Sequence, residues 1–141
     1  MHTIILNSQE RAVLEKLGIA GLILFGSHAQ GFDSPLSDFD FGVLLCDETD
    51  YFLPSRRKEV YDTLYDMLSA KINMLKNIDI VFLEQVPLEL KQHTALYGIP
   101  LYETGIHVFA RFRERVMDMY ADFAPLRGLF HKAILERIKN D

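Results

Sequence analysis

Two aspartates one residue apart, Asp38 and Asp40, open the apolar run Phe39-Asp40-Phe41-Gly42-Val43-Leu44-Leu45, and the turn-rich stretch Gly26–Ser37 separates it from an earlier apolar run, Ala20–Phe25. Side chains on a strand alternate between faces, so Asp38 and Asp40 share one face while Phe39, Phe41 and Val43 take the other. Two neighbouring carboxylates at a strand end repel, and burying either one unpaired is costly. A divalent cation relieves both problems at once. The chain is therefore expected to form a sheet with a strand end that holds metal beside a Gly-Ser turn.

The remaining elements follow from periodicity and punctuation. Asn7 or Ser8 caps a first helix through about Leu17, with Val13, Leu14 and Leu17 on its apolar side and Gly18 as its stop. Ala20–Phe25 is a buried strand and Asp38–Leu45 a second. Gly26–Ser37 is a loop that opens with a helical turn at Ser27, and Cys46–Pro54 is a polar turn. Val60, Leu64, Met67, Leu68 and Ile72 stand at helical spacing in a helix over about 55–75. Ile78–Leu83 is a third strand, Pro87 begins a helix that runs to about Tyr97, and Leu101-Tyr102 is a short edge strand. Two apolar stripes close the chain, Phe109, Phe112, Val116, Met119 and Phe123, then Leu126, Leu129, Phe130, Ala133, Ile134 and Ile138. They suit helices packed on the sheet or a contact surface for a partner or a second copy. This order predicts one domain over residues 1–141, a small mixed α/β (α+β) sheet with C-terminal helices and with helices mainly on one face.

Asp79 is the acidic member of Ile78-Asp79-Ile80-Val81-Phe82. An ionised carboxylate is rarely buried without a partner, so Asp79 either faces water at a strand edge or joins Asp38 and Asp40. Three converging carboxylates would suit Mg²⁺, which takes hard oxygen ligands and is commonly shared with substrate phosphates. Two such ions can clamp the attacking and leaving oxygens of a nucleotidyl displacement. Gly26 lets backbone approach a phosphate closely, and Ser27 adds a hydroxyl at the start of a helical turn. Other chemistries lack their motifs: the chain has no P-loop, no dinucleotide-binding glycine pattern, no complete calcium loop and no nucleophile elbow. His2, His28, His93, His107 and His131 show no ligand spacing and are expected at the surface or in hydrogen bonds.

Composition narrows the partners. A net charge of -5 argues against a broad basic surface for nucleic acid, without excluding a nucleotide at a metal site. The single cysteine, Cys46, has no internal disulfide partner and suits a reducing cytoplasm. No secretory signal is visible, and no apolar run approaches the roughly 20 residues that span a bilayer.

Gly26-Ser27, ten intervening residues, then Asp38-x-Asp40, with a third aspartate in an apolar strand at Asp79, resembles the DNA polymerase β-like nucleotidyltransferase superfamily, in particular its minimal nucleotidyltransferases. The resemblance spans roughly residues 20–83. It implies a small mixed sheet flanked by helices, in which Asp38 and Asp40 bind two Mg²⁺ ions with ATP. Asp79 would complete the metal site and help activate the acceptor hydroxyl, while Gly26, Ser27 and Ser37 hold the nucleotide. Stand-alone proteins of this kind resemble antitoxins whose partner is a HEPN-type ribonuclease toxin, with AMP transferred from ATP to a toxin tyrosine. That partnership implies a hetero-oligomer, and homo-oligomers are equally open. One position departs: Gln30 stands where many relatives carry arginine. The alternatives are an antitoxin that neutralises by binding alone, a transferase acting on a small molecule such as an aminoglycoside, and a structural domain with coincidental motif residues.

Overall fold

The computed structural model describes residues 4–31, 38–72 and 77–122. The chain runs α1 (Ser8–Lys16), β1 (Ile19–Phe25), α2 (Ser27–Gln30), β2 (Phe39–Leu45), a 3₁₀ turn (Glu48–Phe52), α3 (Pro54–Ile72), β3 (Ile78–Phe82), α4 (Leu88–Tyr97) and β4 (Ile99–Glu103). A further helix, α5, covers residues 108–122. The predicted stripe from Leu126 to Ile138, together with Phe123, Ser37 and the end of the helix expected over 55–75, lies outside the described residues.

Local chemistry accounts for these boundaries. Asn7 and Glu10 form a reciprocal capping box, with 2.8 and 2.9 Å hydrogen bonds between each side chain and the other's backbone N–H. Glu10 also pairs with Lys71 at 2.9 Å, tying α1 to the last turn of α3. The Asn7 N–H, aided by Lys71, holds the Glu10 carboxyl below its ordinary range against the opposing effect of burial. Arg56 reaches from α3 to the carbonyl of Leu17 and pairs with Asp50 at 3.3 Å. At the far end of β2, the Leu45 N–H donates to the buried Tyr51 hydroxyl at 2.7 Å.

The sheet has the order β3-β2-β1-β4. β1 lies antiparallel to β2 and β4, and β2 is parallel to β3, with α3 as the crossover. Among the described residues β4 pairs with β1 only, and Pro100 sits within this edge strand opposite Ile23.

Helices cover both faces of the sheet, which corrects the expectation that they lie mainly on one. Leu14 of α1 and Val60, Leu64 and Leu68 of α3 pack on Leu22, Leu24, Phe39, Phe41 and Val43. Ala95 of α4 and Phe109, Phe112 and Val116 of α5 pack on Ile23 and Leu44 from the other side. The cause lies in β1, which is apolar at positions of both parities and so has no polar face to leave in water, and in β2, whose second face carries Leu44 as well as Asp40. A register shift between Ile19 and Gly21 lets Ile19 join Leu22 and Leu24 on the first face. Val13, expected on the inner side of α1, is instead exposed, and Leu14 alone of that helix is buried. No described helix is long and apolar enough to cross a membrane.

Candidate active site

The parallel pairing of β2 with β3 sets Asp79 directly opposite Asp40, and Phe25 at the end of β1 lies opposite Asp40 on the other side. Phe39 and Phe41 flank Asp40 in sequence and are buried in the first core, whereas Leu44, of Asp40's parity, packs in the second. Asp79 follows the same logic: Ile78 and Ile80 belong to the first core, and Val81 packs against the second. Both carboxylates therefore stand on the α4–α5 face, at the sheet end beyond that core. Asp40 is half-buried, Asp79 is exposed, and Asp38, just ahead of β2, is exposed.

Gly26 follows β1 with φ of +77° and caps α2, a backbone state that L side chains rarely adopt. A Cβ at this position would collide with Oδ2 of Asp40. The missing side chain is what allows the turn and the carboxylate to lie against each other. Ser27 opens α2 at this junction, and the Gln30 N–H donates to the Gly26 carbonyl at 3.2 Å.

Electrostatics at Asp40 register this crowding. Burial pushes its carboxyl above the ordinary aspartate value, and the charges of Asp79 and then Asp38 push it further. The imidazoles of His28 and His93 act in the opposite direction. His28 is 2% exposed, and its ring stacks on Phe39 with centroids 3.7 Å apart and planes within 8°. Of the two places expected for it, the surface is excluded, because the single turn of α2 folds it inward beneath the Gly-Ser corner. A four-residue helix has no periodicity from which this inward position could be predicted. His93 lies half-buried on α4.

Asp79 and Asp38 thus act electrostatically on Asp40, and Gly26 abuts the same carboxylate. Among the described residues no group of three His, Cys, Asp or Glu side chains is closed tightly enough to hold a metal ion as it stands. The donor chemistry nevertheless suits a hard divalent cation: carboxylate oxygens, one pair of them held at raised proton affinity by burial and by two like charges.

The family model for polymerase beta nucleotidyltransferases matches residues 10–106. The chain belongs to that family. The match runs from α1 past β4, so it includes the Gly-Ser turn and all three aspartates and leaves α5 outside. This nucleotidyltransferase also resembles solved structures along nearly its whole length. A toxin–antitoxin structure with AMP-PNP contains a chain of 22% identity and TM-score 0.66, covering 92% of this chain and 99% of that one. A structure of the toxin–antitoxin MntA-HepT has 21% identity, TM-score 0.59 and coverage of 92% and 99%. A tri-AMPylated Shewanella oneidensis HEPN toxin in complex with MNT antitoxin has 21% identity, TM-score 0.59 and coverage of 89% and 95%. At these identities the likeness establishes the fold. No curated protein matches significantly.

Proposed function

We propose that this chain is a Mg²⁺-dependent protein adenylyltransferase of the cytoplasm, an antitoxin that transfers AMP from ATP to a tyrosine of a HEPN-type toxin. The observation that carries the reading is the register of Asp79 against Asp40, with Gly26 pressed on the same carboxylate. Family membership supports nucleotidyl transfer, and the resemblance to toxin–antitoxin structures, one with AMP-PNP and one with an AMPylated toxin, supports the acceptor.

In this reading the acceptor hydroxyl attacks the α-phosphorus of ATP, the bond from that phosphorus to the bridging oxygen breaks, and pyrophosphate leaves. Asp38, Asp40 and Asp79 would hold the metal. Bound Mg²⁺ would supply charge neutralisation for the triphosphate and orient it. The exposed carboxylate of Asp79 would take the hydroxyl proton, which needs a base open to the incoming substrate. Gly26 and Ser27 would bind phosphate oxygens through backbone N–H and hydroxyl groups, and Ser37 is assigned to the same nucleotide.

The test combines the chain with α-labelled ATP, Mg²⁺ and its co-encoded helical partner. Label should appear on a partner tyrosine and disappear with EDTA, Asp38→Asn or Asp40→Asn. If either variant still neutralises the toxin fully in cells, binding alone is the mechanism and the catalytic reading is wrong.

A further inference from the structure

The face that bears Asp40 and Asp79 is roofed by α4, whose last turn reaches the same end of the sheet. Gly98, directly after α4, lies so close to β1 that a Cβ there would stand 2.6 Å from the Ile23 side chain. Ile99 then pairs with Leu24, one residue from Phe25 and hence from the register of Asp40. Thr94 and Ala95 are buried beneath the helix. His93 and Tyr97, one turn apart, share its flank. Their ring centroids are 5.1 Å apart with planes tilted by 54°. His93 is half-buried within electrostatic reach of Asp40, whereas Tyr97 is 49% exposed. Leu96, beside Tyr97 on α4, is also about half exposed.

We propose that His93 and Tyr97 position the acceptor, offering an aromatic surface on which the ring of the incoming tyrosine rests before the aspartates. Aromatic rings attract at centroid separations of about 4.5–7 Å in stacked or edge-on arrangements, and this pair leaves the outer ring free to take another. The exposed Leu96 beside the ring pair favours a protein acceptor over the nucleobase of ATP. A nucleobase would stack on the ring alone, whereas a protein surface also buries the neighbouring apolar side chain. The inference rests on the protein-adenylylation reading and names the residues that would make it selective.

Initial rates are measured with the full chain, Mg²⁺, and separately varied ATP and partner toxin, with folding of each variant checked by thermal unfolding. His93→Ala and Tyr97→Ala should each raise KM for the toxin about tenfold and leave KM for ATP unchanged. His93→Phe and Tyr97→Phe should restore KM, because they keep the ring. Unchanged toxin KM in the alanine variants would overturn the inference, as would a rise confined to ATP, which would assign the rings to the nucleobase. Label on Tyr97 itself would also overturn it, making that residue an acceptor. A wild-type chain that labels no toxin removes the underlying reading together with this one, and is distinguishable from every variant-specific result.

Discussion

Burial and two like charges converge on the carboxyl of Asp40. A carboxyl raised in the folded state contributes stability that is complete below the ordinary value of 3.8 and lost as pH rises through the raised value. At neutral pH its ionised form is a net cost to the fold. Asp40→Asn is therefore expected to raise the thermal midpoint in metal-free buffer at pH 7 by roughly 2 °C, with a smaller change at pH 3. A lower midpoint at pH 7 would mean that the carboxylate makes stabilising bonds instead. The alternation of acid with aromatic residues made the orientation of Asp40 legible from the chain alone. The alignment of Asp79 was not legible, because strand register depends on α3 and its flanking turns. His28 and His93 were illegible for a related reason: each approaches Asp40 only through tertiary packing.

Strands and helices differ in how openly they declare their partners. The stripe Val60, Leu64 and Leu68 is fully buried, and Asn7 caps α1 as its chemistry requires. Gly42 is more deceptive. Within β2 it resembles a weak point, yet a Cβ there would stand 2.7 Å from three atoms of the fully buried Leu83. The strand needs a gap at this position for the residue following β3 to fill. Gly42→Ala should cost about 1–3 kcal/mol in urea unfolding through overpacking. A neutral result would mean that Leu83 can move aside freely. The 3₁₀ turn at Glu48–Phe52 was expected only as polar turn, since its fold depends on Tyr51 reaching back to Leu45. That burial pushes the Tyr51 hydroxyl up to about 12.

At the scale of the molecule, the sheet separates two apolar cores with no buried residue in common. Val60 and Val116 lie on opposite sides of it, each nearly or fully buried. Their alanine variants should be additive to within about 0.5 kcal/mol, as expected for sites that share no partners. A double-mutant cycle of chemical denaturation would check this, and a larger coupling would show that the sheet transmits strain between its faces. Two cores also explain why the helices were expected mainly on one face: the unbroken apolar run of β1 marks burial on both sides without saying which elements cover each. Pro100 carries a further consequence at this scale. An imino acid in this edge strand of the described sheet has no amide proton to donate, so β4 cannot form an unbroken ladder of hydrogen bonds on both of its sides.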